Sequence, residues 1–132
     1  MQRIIIASGP VIVEDRKVLV TKHGDTEFWK FCGGTVAPTD ENLRATAVRE
    51  AREEVGVEIE FLNEPPFFMY VQKEKKDGVY DVMLVHWLAK RRGEVAPQRD
   101  DIREWAWLPI DHLPTDIGPN IILALQHFGF LK

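Results

Sequence analysis

The chain has 132 residues, 45% hydrophobic and 29% charged, which is the make-up of a soluble globular protein with room for one hydrophobic core. Its formal net charge of −4 offers none of the basic surface that a nucleic-acid backbone or an anionic membrane would demand, so neither is expected as a partner. Cys32 is the single cysteine, which excludes an intrachain disulfide and a thiolate metal cluster. No run approaches the roughly 18 apolar residues needed to cross a bilayer, and the first residues lack a secretory signal pattern, so the expected location is the cytoplasm.

In chain order, residues 4–6 and 11–13 read as strand interrupted by a bend or bulge at Gly9-Pro10. Residues 14–17 form a polar turn, and residues 18–20 return as a second strand. A polar loop at 22–27 leads to a brief alternation at 28–31, just before Gly33-Gly34. Residues 42–55 carry the clearest helical pattern. Leu43, Ala47, Ala51 and Val55 recur every fourth residue, with Val48 beside them, and make one apolar stripe. Thr39 or Asp40 is the expected N-cap, and Gly56 stands where a left-handed terminating residue belongs.

Strand character resumes at 57–62, 67–72 and 79–89, the last two forming a hairpin with Asp77-Gly78 in its turn. A polar loop at 91–103 precedes a short strand at 105–108. Prolines then punctuate 109–119, and residues 120–128 finish as an apolar helix. No repeat, low-complexity run or linker divides the chain, so one domain over 1–132 is expected. Strands, helix, strands, helix is the order of an α/β fold with a mixed sheet, not of a doubly wound parallel one.

The chemistry concentrates between Gly33 and Val57. Glu50, Glu53 and Glu54 stand at i, i+3 and i+4, so their carboxylates leave one side of the helix. They occupy its last two turns, where the helix dipole favours cations over anions. The like-charged Glu50/Glu54 pair costs about 0.2–0.5 kcal/mol by itself. Hard oxygen ligands clustered in an unfavourable field make sense around Mg²⁺ or Mn²⁺. Acidic residues on a helix are often only a solvated face, and Arg44, Arg49 and Arg52 offer compensating charge. Against that stands the Gly33-Gly34 pair ahead of the helix, which allows close approach of backbone to a ligand or metal.

This segment resembles the Nudix box: a glycine, a short loop to a glutamate, then Arg-Glu-apolar-x-Glu-Glu-x-Gly-apolar. Arg49, Glu50, Ala51, Glu53, Glu54, Gly56 and Val57 fall in register with Glu41, and Phe31-Cys32-Gly33-Gly34 looks like the family's entry to the box. Six residues separate Gly34 from Glu41, one more than the pattern has, which reads as a one-residue loop insertion.

The resemblance implies a Nudix-type α/β/α sandwich, with the mixed sheet between helices. It implies a metal site of Glu50, Glu53, Glu54 and the Gly34 carbonyl, holding Mg²⁺ or Mn²⁺, with Arg49 orienting the carboxylates. Glu41 would be structural or would hold the ligand side chains in place from behind. Glu53 or Glu54 would be the base that activates water; Asp100, Asp101 and Glu104 in a later loop are the other candidates. The implied activity is metal-dependent cleavage of a pyrophosphate bond in a nucleoside diphosphate linked to another moiety, with a homodimer as the implied assembly.

Aromatic residues outside the box could stack on a base: Phe28, Trp29, Phe68, Tyr70, Tyr80, His86 and Trp87. Trp29, Tyr80 and Glu104 are the substrate-binding candidates. Residues 79–87 alternate Tyr80, Val82, Leu84 and His86 on one face with Asp81, Met83, Val85 and Trp87 on the other, which suits a strand between two layers. Two other functions use the same fold: a non-catalytic nucleotide sensor, whose box carboxylates are usually lost, and an isomerase, which needs a proton-transferring cysteine.

Overall fold

A computed structural model describes residues 3–132. The elements are β1 (Ile4–Glu14), β2 (Lys17–His23), β3 (Gly34–Thr35), α1 (Leu43–Val55), β4 (Glu58–Phe61), β5 (Phe67–Lys75), β6 (Gly78–Arg92), β7 (Ile102–Pro109), a 3₁₀ turn (Ile110–His112) and α2 (Pro119–His127). The sheet runs β4-β6-β1-β2-β7, with β5 added to β6 and β3 to β1. Its central pair is parallel, with Ile4 to Ile12 of β1 beside Asp81 to Ala89 of β6, and the other pairings are antiparallel. The sheet is mixed, as expected.

Period-two alternation gives β1 two apolar faces. On one, Ala51 and Val55 of α1 pack with Ile12, Leu19, Cys32 and Val57. On the other, Ile121, Ala124 and Leu125 of α2 pack with Val11, Val18, Val20 and Leu88. The result is a helix–sheet–helix sandwich. Among the described residues no helix is long and apolar enough to cross a membrane.

Three local expectations are corrected. Gly9-Pro10 does not interrupt β1, which runs unbroken from Ile4 to Glu14. At Pro10 the strand has β6 as its ladder neighbour on one side only, so alternate N–H groups need no partner and the imino acid is accommodated. The N-cap of α1 is Asn42, whose Oδ1 accepts from the Ala45 N–H at 2.8 Å, and neither Thr39 nor Asp40 takes that role. The β5–β6 turn is Lys76-Asp77, with Gly78 already paired to Lys75. Gly56 does terminate α1 in the left-handed region, at φ 71°, with its N–H on the Ala51 carbonyl. The β1–β2 connection places both Asp15 and Arg16 at positive φ, the type I′ signature that matches hairpin twist.

Candidate active site

The site lies where β1, the Cys32–Thr35 segment and the C-terminal half of α1 meet. Gly9 makes that meeting possible, because a Cβ there would overlap the Cys32 carbonyl and Gly33 Cα. With the segment laid against β1, the Gly33 N–H donates to Glu54 Oε2 at 2.8 Å. At Gly34 the Glu50 carboxylate occupies the space a side chain would need.

Arg49 organises the carboxylates. Its Nη1 donates to Glu50 Oε1 at 2.9 Å and to Glu53 Oε2 at 3.1 Å. Its Nε and Nη2 donate to the two oxygens of Asp40, each at 3.0 Å, and Nη2 also reaches the Thr35 carbonyl at 3.1 Å. Asp40 Oδ2 accepts further from the Ala37 N–H and the Thr46 hydroxyl, both at 2.8 Å. The Arg49 guanidinium, and then the Ala37 N–H, hold the Asp40 carboxyl well below the usual carboxylate range. The same pairing raises Arg49 further above its ordinary value.

The three helix glutamates are not equivalent. Glu54 is 1% exposed, and burial pushes its carboxyl up to about 7. Glu50 is buried and shifted upward by the same cause, against the opposing pull of Arg49; its Oε2 has no hydrogen-bond partner among the described residues. The Glu53 side chain remains 46% exposed. Around them stand His23, with Nε2 3.6 Å from Glu54 Oε1, and Arg99, with Nη1 3.8 Å from Glu50 Oε2 and 3.9 Å from Glu54 Oε1. Burial lowers the affinity of His23 for a proton.

The donor set suits a hard divalent cation: carboxylate oxygens, one of them buried and unpartnered, beside a backbone segment with no side chain in the way. Among the described residues no three carboxylate, imidazole or thiol groups already converge as a metal cage. Arg49 holds the Glu53 carboxylate, and the Gly33 N–H holds one oxygen of Glu54.

Beside the carboxylates opens a cavity of about 440 Å³. Its floor is the part of the sheet that α2 leaves uncovered: Ile5 and Ala7 of β1, Val82 and Leu84 of β6, Met69 and Val71 of β5. Gly33, Gly34, His86 and Asn120 lie among the other lining residues. Lys30, Lys73 and Lys75 line it and no carboxylate does, in a chain of net charge −4. Asn120 Nδ2 lies 3.0 Å from His86 Nε2, while His86 Nδ1 is buried without a partner. Burial pushes His86 down to about 4, so the ring is neutral at pH 7.

The other sequence candidates fall in different places. Trp29 packs against the α2-side core under the Lys22 ammonium and does not line the cavity; its neighbours Phe28 and Lys30 do. Tyr80 sits at the far end of β6, its hydroxyl donating to Asp77 at 2.6 Å. Glu104 on β7 lies 3.9 Å from Lys22 Nζ. Phe68 and Tyr70 are exposed on the opposite side of the sheet from Met69 and Val71, and Trp87 donates to the Ser8 hydroxyl. Asp101 receives a two-point contact from Arg99 at 2.9 and 2.6 Å. Glu41 is exposed. The carboxylate that anchors Arg49 is Asp40, and the signal for it is in the sequence: Asp40 itself stands at the pattern's spacing from Gly34, so the extra residue falls after it. Cys32 donates its thiol to the Glu50 carbonyl at 3.7 Å, and burial raises its pKa well above the ordinary value.

The sequence profile of the NUDIX domain matches residues 4–128, and the chain belongs to that family. It is 34% identical over 74 residues to the NAD-capped RNA hydrolase NudC of Pseudomonas aeruginosa, covering 56% of this chain and 24% of that protein. It is 31% identical over 128 residues to the m7GpppN-mRNA hydrolase dcap-2 of Caenorhabditis elegans, covering 89% of this chain and 15% of that one. The chain thus spans a quarter or less of the length of these relatives. The crystal structure of a MutT NUDIX hydrolase from Burkholderia pseudomallei superposes with a TM-score of 0.76 at 22% identity, over 96% of this chain and 98% of the other.

Proposed function

We propose that the protein is a metal-dependent pyrophosphohydrolase that splits a P–O–P linkage in a small nucleotide derivative. One observation carries this reading: the Gly33-Gly34 segment that contacts a buried, Arg-braced carboxylate cluster also lines a cavity with three lysines and an apolar floor. The volume lies within the roughly 300–1,000 Å³ of small-molecule sites. The apolar sheet face suits a nucleoside, and the lysines offset the net negative charge where phosphates would lie. The printed activities of NudC and dcap-2, both hydrolases of nucleotide-capped RNA, agree with a nucleotide-linked substrate. The lysines gathered at the cavity, on an acidic chain, favour a small nucleotide over an extended nucleic acid.

Glu50, Glu53, Glu54 and the Gly34 carbonyl would hold Mg²⁺ or Mn²⁺. When bound, the ion supplies charge neutralisation of the diphosphate and a lowered pKa for attacking water. Arg49 keeps Glu50 and Glu53 aligned at one edge of the cluster. The Gly33 N–H fixes one oxygen of Glu54, leaving the other free. Glu53, the carboxylate that solvent reaches, takes the proton of the attacking water at the oxygen not engaged by Arg49.

A phosphate-release screen over nucleoside triphosphates, nucleotide sugars, ADP-ribose and dinucleoside polyphosphates tests this, with Glu53→Gln and Glu54→Gln as controls. Turnover with Mg²⁺ that both variants lose by two orders of magnitude or more is the expected result. Ligand binding without turnover would instead identify a sensor.

A further inference from the structure

Arg99 pairs with Asp101 in its own loop and also reaches the carboxylates of α1. It comes from the segment between β6 and β7, far in sequence from α1, and its side chain is 41% exposed. Its Nε and Nη2 are spent on Asp101, which fixes the plane of the guanidinium. The remaining Nη1 points between two buried carboxylates, 3.8 Å from Glu50 Oε2 and 3.9 Å from Glu54 Oε1. Both distances are ion-pair contacts too long for hydrogen bonds. Glu50 Oε2 is the buried oxygen with no hydrogen-bond partner. Arg49 cannot help it, because its Nη1 is committed to Glu50 Oε1 and Glu53. Arg99 therefore brings a positive charge to a buried carboxylate oxygen that has no hydrogen-bond partner among the described residues.

We propose that Arg99 is a displaceable counter-cation, which screens Glu50 and Glu54 in the metal-free protein and is driven off them by an entering divalent ion. The inference rests on the reading of the carboxylate cluster as a metal site. A guanidinium and a divalent ion cannot share the same two carboxylate oxygens without strong repulsion, so each must weaken the other's hold. The two-point contact with Asp101 gives the displaced guanidinium a remaining partner. Such a residue tunes how readily the site fills: it lowers metal affinity and limits self-repulsion when the site is empty.

The test measures Mn²⁺ binding to the full chain by electron paramagnetic resonance, with no substrate present, in the parent and in Arg99→Gln, Arg99→Lys and Arg92→Gln. Arg92 pairs with Glu60 on the β4 edge and removes the same unit of charge away from the cluster. The expected result is tighter Mn²⁺ binding in Arg99→Gln by about threefold or more, with Arg92→Gln within experimental error of the parent. Arg99→Lys, which keeps the charge but loses the two-point grip on Asp101, should fall between the two. In metal-free buffer at pH 8, Arg99→Gln should also melt below the parent, and saturating Mn²⁺ should close that gap. Equal affinities for the parent and Arg99→Gln would overturn the inference, as would an equal gain in Arg92→Gln. Failure of the parent itself to bind Mn²⁺ would overturn the metal-site reading and this inference with it.

Discussion

Arg49 and Asp40 face each other through two parallel hydrogen bonds, Nε to Oδ1 and Nη2 to Oδ2, both 3.0 Å. The pair ties the loop ahead of α1 to the helix turn that carries Glu50 and Glu53. Asp40→Asn should therefore leave Arg49 without its fork partner, and Glu50 and Glu53 without a fixed brace. The expected outcome is a loss of about ten- to a hundredfold in Mg²⁺ affinity or in kcat/KM. Glu41→Gln, one residue on, should be near neutral. Phosphate-release kinetics on both variants check this, and a larger loss in Glu41→Gln would reverse the assignment.

Glu54 makes the metal-free protein less stable as pH rises. Its carboxyl titrates near 7 when folded, against an ordinary value near 4.5, so the folded state binds the proton more tightly. The stability present below about 4.5 is lost as pH climbs through 7, by about 3 kcal/mol at most. Glu54→Gln should then exceed the parent in melting temperature at pH 8 with chelator present, and the difference should close near pH 4.5. Denaturation scans across that range decide it, and a parent more stable than the variant at pH 8 would contradict the burial argument.

His86 pulls the other way. Its ring titrates near 4 when folded and near 6.5 when free, because burial disfavours the imidazolium. Its contribution is intact above 6.5 and disappears as pH falls through 4, again by about 3 kcal/mol at most. Replacing His86 with Gln should flatten the acid limb of the stability curve. An unchanged acid limb would mean that the ring is solvated.

Gly9→Ala should damage the site from a distance. The added methyl meets backbone, the Cys32 carbonyl and Gly33 Cα, and backbone cannot swing aside as a flexible side chain would. Displacing this segment moves the Gly33 N–H from Glu54. A destabilisation of about 1–3 kcal/mol is expected, together with weaker metal binding. Calorimetric melting with and without Mg²⁺ measures both.

Lys73 lines the cavity and makes no ion pair with the carboxylate cluster among the described residues, so Lys73→Gln should raise KM several-fold for a phosphorylated substrate and leave kcat unchanged. The effect should shrink as salt is added. A drop in kcat at constant KM would instead place this lysine near the reacting phosphorus.

Much of this was legible from short-range pattern. The apolar stripe of α1, its Gly56 terminus and the i, i+3, i+4 spacing of Glu50, Glu53 and Glu54 are local properties of a helix, and the two apolar faces of β6 are local properties of a strand. The mixed sheet follows from the order of such elements. Asp40 was half legible: its spacing from Gly34 is visible, yet choosing it over Glu41 needs the loop's path. Trp29 shows the opposite case, because an aromatic ring looks the same whether it meets the core or a cavity.

The sequence by itself determined that three carboxylates stand on one side of one helix, after a Gly-Gly break, in the pattern of the NUDIX family. Only the tertiary structure decided that Gly9 receives the Cys32–Gly33 backbone, that Arg99 reaches Glu50 and Glu54 from a loop some fifty residues away, and that three lysines line the uncovered sheet face. The physical reason is range. Helical and strand periodicities are set by neighbours within a turn or two of chain, whereas charge compensation and cavity shape depend on which distant segments the core brings together.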